Sequence, residues 1–285
     1  MKTERIQLNK ALQQDDVYPQ SNVMSLAHLS GMPTRRGLEC CVVSAGQIVN
    51  VVSDSYGHLP NEMFFKEVER RLDEAGIKYD RRSINRENRS FAVDYILSDD
   101  SYIIKVKSGQ DIIKPMLRFT NSYDGSCKTS GHFGFFRQVC TNGLHVAHSE
   151  VGFSVKHRGA IAEIVLPEIG SIVNKFMDNE FYTLSKKFEV LAERQITDLS
   201  GWVKMVADST KLFKFESSEK NPSPSLNART VIEGIRREAS MLGEATPNLW
   251  LGYNAFNELL HGKLKKGFEA QKSLDKRIFD LVEAI

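Results

Sequence analysis

A chain of 285 residues that is 41% hydrophobic can bury a sizeable core without disulfide or metal staples. Its 38 Lys and Arg nearly balance its 36 Asp and Glu, so overall charge does not point to nucleic acid, and any basic surface must come from uneven distribution. Four cysteines, with Cys40 and Cys41 adjacent, speak against a secreted disulfide scaffold, no apolar run approaches the roughly 20 residues of a membrane span, and MKTERIQLNKALQQDD lacks a signal-peptide core, so a cytosolic protein with free thiols is expected.

Residues 1–36 show little periodicity and include the turn-rich YPQSN and GMPTRRG, which predicts an irregular N-terminal arm able to contact a neighbouring subunit. LECCVVSAGQIVNVVS (38–53) has two β-branched runs split by Ala45 and Gly46 and reads as a strand or hairpin. A helix is expected from Asn61, whose side chain can cap the first turn, to a stop at Gly76. Phe64, Phe65, Val68 and Leu72 share one face of it, so it packs on something, most economically a sheet.

Residues 78–97 read as two strands around a turn at 85–89, with Phe91, Val93, Tyr95 and Leu97 alternating against Ala92, Asp94 and Ile96. In YIIKVK, Lys105 and Lys107 share a face with Ile103. In IIKPMLRFT, Lys114, Met116 and Arg118 share one face, and Pro115, which cannot donate to a ladder, marks an edge strand or a strand start. Asp124 and Gly125 signal a hairpin turn. HFGFFRQVCTNGLHVA reads either as a strand with glycine kinks or as a strand running into a helix at Thr141 or Asn142, and GFSVKHRG with AIAEIVL closes the β-rich part.

From Pro167 the period changes: Ile169, Ile172, Val173, Phe176, Met177, Leu184, Phe188 and Leu191 recur at three- and four-residue steps, which predicts one long helix of roughly six turns. Further helices follow around Trp202, Val231, Trp250 and Phe268, with the polar SSEKNPSPS as a linker near 216–226. The predicted architecture is α+β: an arm (1–36), an antiparallel β-meander packed by a helix (37–166), and a helical C-terminal region (167–285).

Charge is concentrated in the middle of the chain, where residues 101–160 hold eight cations (Lys105, Lys107, Lys114, Arg118, Lys128, Arg137, Lys156 and Arg158) against three acids. Aromatic residues are interleaved among them, with Tyr123 and Phe133 as stacking candidates. Cations track the phosphates of a single strand while rings stack on its unpaired bases, so a sheet carrying both can serve as a platform for single-stranded DNA. The same rings serve equally well as core, and the same charges as a solvated face.

Two other chemistries are weaker. Cys127, His132, Cys140, His145, His148 and His157 offer soft ligands, yet no Cys-x2-Cys pair occurs, and a buried thiol accounts for Cys140 as well. Asp94, Asp99, Asp100, Asp111 and Asp124 could supply carboxylates to a metal-dependent nuclease, although Asp99-Asp100 and Asp124-Gly125 suit turns better. No phosphate loop, nucleophile elbow or His-Glu-x-x-His is present in the sequence, so no catalytic residue, cofactor or metal is assigned.

The order NSYDGS, a short gap, then RQVCTNGL (121–144) resembles the phage- and plasmid-related domain of unknown function numbered nine hundred and thirty-two. The motif falls on Ser122, Asp124, Gly125, Ser126, Arg137, Val139, Cys140, Asn142, Leu144 and Ala147. TPNLWLGYNAFNELLHG carries a second likeness at Trp250, Asn254, Ala255, Glu258 and His261. The resemblance implies mobile-element replication or recombination in a bacterial host cell, and a distant similarity to phage single-strand annealing proteins, which assemble into rings or filaments with DNA in a basic groove. The expected function is thus a homo-oligomeric, non-enzymatic single-stranded DNA-binding protein promoting strand annealing. The alternatives are a metal-dependent nuclease or other DNA-processing enzyme using Asp124, His132 and Cys140 or nearby groups, and a host-directed interaction protein docking through its helical half.

Overall fold

In a computed structural model of the chain, residues 17–31, 33–106, 111–137, 143–144, 152–177, 180–218 and 223–285 are described. The fold is α+β, and the chain divides into two compact units. The first comprises residues 1–99, 116–133 and 149–178; the second comprises 100–115, 134–148 and 179–285.

The first unit opens with β1 (Ser21–Ser25), a short helix α1 (Leu26–Ser30), β2 (Cys40–Ser44) and β3 (Gln47–Val52), which form a three-stranded antiparallel sheet in the order β1-β2-β3. The expected hairpin is present, and Ala45 and Gly46 turn it with φ of 48° and 76°, the paired left-handed conformation of a two-residue loop. Within the expected arm, residues 21–25 form a strand, because β1 pairs along the edge of β2 in full register, while residues 1–16 lie outside the described residues. A strand of five residues is too short to show a period.

Helix α2 (Asn61–Glu74) buries Phe64, Phe65, Val68 and Leu72, and Gly76, with φ 67°, lies just past its end. Pro60 rather than Asn61 occupies the capping position. Asn61 is instead fully buried: its amide donates to the Val17 carbonyl (2.7 Å) and accepts from Asn121 (2.8 Å).

The main sheet has the order β10-β8-β7-β5-β4, built from β4 (Tyr79–Arg86), β5 (Ser90–Leu97), β7 (Asp111–Ser122), β8 (Thr129–Arg137) and β10 (Gly152–Val155), with residues 116–122 of β7 and 129–133 of β8 in the first unit. All of its described pairings are antiparallel. One face meets α2: Phe64 packs edge-on against Phe119, which contacts Tyr95 and Phe153. A Cβ at Gly131 would stand 2.5 Å from Phe119 and 2.7 Å from Phe153, so the absent side chain is what lets those rings cross β8.

Pro115 does not sit on an edge strand, since β7 is central. It falls between two ladders: β6 (Ile104–Val106), in the second unit, pairs with β7 through Ile113, and β5 pairs from Met116 onward. The missing N–H is placed where neither ladder calls for it. AIAEIVL is helical rather than a strand from its second residue on: α3 (Ile161–Met177) takes in all of it but Ala160, contains Pro167, and runs through the expected division at 166/167.

The expected long helix corresponds to α3 in the first unit and α4 (Glu180–Glu193) in the second, and residues 178–179 lie outside the described residues. In the second unit α4 is followed by α5 (Leu199–Thr210), α6 (Leu226–Met241), α7 (Leu249–Glu258), a π-helical turn (Leu259–Lys263) and α8 (Phe268–Ala284). Side-chain caps from Asp198, Ser225 and Asn248 start α5, α6 and α7. β9 (Gly143–Leu144) pairs with the end of β8. Phe135, Phe188, Trp250, Tyr253 and Phe279 make the aromatic core. Among the described residues, no helix is long and apolar enough to cross a membrane.

Candidate nucleic-acid interface

β4 is the outer strand of the first unit's main sheet. Alternation sends Arg82, Ile84 and Arg86 to the face opposite α2, and the register sets Arg82 beside Asp94 and Asp94 beside Arg118. Asp94 is fully buried and Arg118 is 5% exposed. The Arg118 guanidinium grips Asp94 with two nitrogens, Nη2 at 2.6 Å from Oδ2 and Nε on Oδ1, while Arg82 Nε stands 3.9 Å from the same Oδ2.

One carboxylate thus answers to two guanidiniums, with a third nearby. Burial lowers the pKa of Arg82 against the pull of Asp94, and burial followed by the charge of Arg118 lowers that of Arg86. The face carries Arg82, Arg86, Arg118 and Lys128 against Asp80 and Asp94. Ala92, Thr120 and Ser130 make the floor between them, with the two hydroxyls 2.7 Å apart. Arg89 is exposed at the tip of the β4–β5 hairpin, whose turn uses Glu87 and Asn88 at φ 54° and 55°. At the other side of the sheet Lys156 follows Val155, which is in register with Thr129, so Lys156 and Lys128 are neighbours.

The cations expected from sequence are scattered between the units. In the first, Lys156 and Arg158 are exposed, Lys128 is half-buried and Arg118 is buried; in the second, Lys105 is exposed, Lys114 half-buried and Arg137 fully buried. Lys107 lies outside the described residues. Tyr123 and Phe133, 1% and 4% exposed, belong to the core rather than to a stacking platform. The Tyr123 hydroxyl accepts the Asn61 N–H (2.8 Å), and its ring packs on Phe91 and His58.

Sequence reasoning passed over Arg82, Arg86 and Arg89, reading their stretch only as strands and a turn. The signal was the run RRSINRENR itself, in which Arg82 and Arg86 fall on one face of a strand.

In the second unit, Arg137 joins a buried cluster. Its Nε lies 2.6 Å from Asp111 Oδ2 and its Nη1 2.5 Å from Glu238 Oε2, and Trp250 Nε1 donates to Asp111 Oδ2 at 2.8 Å. The Arg137 guanidinium is 5.9 Å from the Trp250 ring centroid. The two stretches that carry the family likeness therefore meet at one carboxylate.

Asp94 and Asp111 are each bound to a buried arginine, and Asp124 Oδ1 accepts the Ser126 N–H inside its turn. Among the described residues no three His, Cys, Asp or Glu side chains are placed to hold a metal ion; Cys140, His145 and His148 lie outside them.

A family model described as Domain of unknown function (DUF932) matches residues 48–278, more than half of the chain. The chain belongs to the DUF932 family. No curated protein and no solved structure matches this DUF932 chain. The family match takes in both the β4–β5 hairpin and the Arg137 cluster.

Proposed function

We propose that this DUF932 protein binds nucleic acid through its phosphates, takes single-stranded DNA, and promotes strand annealing as a homo-oligomer in the cytoplasm of a bacterial host. The observation that carries this reading is the cationic face around the β4–β5 hairpin, where Arg82 and Arg86 stand beside the buried Arg118–Asp94 pair. Guanidiniums that have lost part of their hydration gain from a bidentate anion, and phosphate oxygens fit that fork. Arg89 at the hairpin tip and Lys128 and Lys156 across the sheet extend the charge.

With Tyr123 and Phe133 in the core, affinity falls to phosphate contacts, and little base preference is expected. Fluorescence anisotropy with a labelled oligothymidylate, repeated over a salt series, tests this. Each phosphate contact adds about 0.7 to the slope of log affinity against log salt, so three or four contacts give a slope of roughly −2 to −3. Binding that ignores salt, or no binding at low salt, overturns the reading. Annealing is scored with complementary labelled strands, and duplex-only binding removes that part of the proposal.

A further inference from the structure

The three-stranded sheet of the first unit carries apolar side chains on both of its faces, and the nucleic-acid reading uses neither. Register decides which residues share a side. Ser21, Val42, Ser44, Asn50 and Val52 fall on one face. That face looks into the unit: Ser21 Oγ lies 3.1 Å from His58 Nε2, the Asn50 amide stands next to Gly125, and Val42, Ser44 and Val52 are buried. The outer face carries Asn22, Met24, Cys41, Val43, Ile48 and Val51, none of them charged.

Ile48 and Val51 are 54% and 42% exposed. Three residues apart on a regular strand, they would point to opposite sides. The bulge at Val42 and Val43, which sets Val43 against Ile48 but Val42 against Asn50, brings both to the outer face. A sheet with one face in water alternates apolar-in with polar-out. This one shows aliphatic side chains on both, the pattern of a layer covered from two sides.

Two features select a second copy of the chain as the cover. The outer face has no charge, so its own two-fold image meets it without like-charge contact, and a two-fold interface uses the same patch on both partners. The rim at the Cys40–Val52 end carries both signs: Arg35, Arg36 and Asp54 are exposed, and the half-buried Glu39 carboxylate accepts the Gly37 N–H at 2.7 Å and feels the charge of Arg36. A two-fold axis along the strands lays that end on its own copy, so guanidiniums meet carboxylates across it. Three strands about 4.8 Å apart, each of five residues at roughly 3.3 Å, span about 14 by 17 Å. That is well under the ~800 Å² per partner of a stable complex, so the pairing is weak and reversible.

We propose that the outer face of β1-β2-β3 is a self-association surface, on which a second copy of this chain docks face to face around Ile48 and Val51. The proposal rests on the homo-oligomer part of the reading above and not on its nucleic-acid part.

Sedimentation velocity of the full chain without nucleic acid, over about 1 to 300 µM, should show a monomer–dimer equilibrium with Kd of about 10–100 µM. Ile48→Asp sets a carboxylate in the apolar contact and should weaken it at least about tenfold. Met63→Asp, at a similarly exposed apolar position in α2, should stay within about twofold of the parent. Circular dichroism checks that Ile48→Asp is folded, and Val51→Lys takes its place if it is not. A parent that is monomeric throughout overturns both this proposal and the homo-oligomer reading. An assembling parent whose outer-face variant associates just as well overturns this proposal alone. A chain that dimerises only once residues 1–16 are removed assigns the face to those residues and likewise overturns it.

Discussion

Replacing Arg137 with methionine is expected to destabilise the second unit by about 3–5 kcal/mol, the cost of breaking a buried ion cluster by removing one partner. Arg137 is fully buried and stands between Asp111 and Glu238, at 2.6 and 2.5 Å. Its loss leaves two buried carboxylates without their shared cation, a large part of the roughly 5–15 kcal/mol that holds a domain together. Both tryptophans lie in this unit, so intrinsic fluorescence in urea reports its unfolding. With a slope of about 1–3 kcal/mol per molar, the midpoint should fall by about 1 M or more. The triple variant R137M/D111N/E238Q removes the stranded charges together with the cation and is expected to recover at least half of the loss, because an apolar or neutral replacement of a whole cluster is often tolerated. A cost under about 1 kcal/mol for R137M, or a triple variant less stable than the single, would falsify the assignment of Arg137 to the fold.

Gly131→Ala should destabilise the first unit by about 1–3 kcal/mol, as an overpacked core does, because its Cβ lands 2.5 Å from the Phe119 ring; chemical denaturation followed by circular dichroism checks this, and a neutral result refutes it. Burial, and then the neighbouring His157, lower the His58 pKa from 6.5 to about 4. The unfolded chain therefore binds the proton first, and stability present above pH 6.5 is lost as the pH falls towards 4 and then levels off. His58→Gln should lack that part of the decline, so the gap in urea midpoint between the two proteins must change across this window. Phe133→Leu should leave affinity for an oligothymidylate within about twofold of the parent, whereas a base-stacking ring would cost 1–3 kcal/mol and weaken binding by roughly fivefold or more.

Where a side chain's period matched its burial, the sequence was a faithful guide. The Phe64, Phe65, Val68, Leu72 face of α2 and the Ala45-Gly46 turn are as local spacing predicts. NSYDGS is likewise structural: Asn121 ties Leu59, Asn61 and Thr129 together, and the Ser122 hydroxyl donates to the Cys127 carbonyl at 2.6 Å. What local spacing cannot carry is partnership between distant residues. Arg118 and Arg137 look like surface cations in a basic stretch, and only the approach of Asp94 from β5 and of Glu238 from α6 turns them into core. AIAEIVL misleads for a related reason: its β-branched residues suit a strand in isolation, and packing against α2 and β10 makes it a helix. Asn61 could have capped a helix, but a hydrogen-bonded place in the core held it instead.

The hairpin arginines carry the central claim, and one comparison tests it. Arg82→Gln/Arg86→Gln and Lys105→Gln are titrated against the same labelled oligothymidylate at several salt concentrations, each variant first confirmed to be folded by circular dichroism. Loss of two phosphate contacts is expected to lower the magnitude of the salt slope by about 1.4 and weaken binding at low salt, while Lys105→Gln, in the other unit, stays close to the parent. A double variant that binds with the parent's slope and affinity contradicts the account.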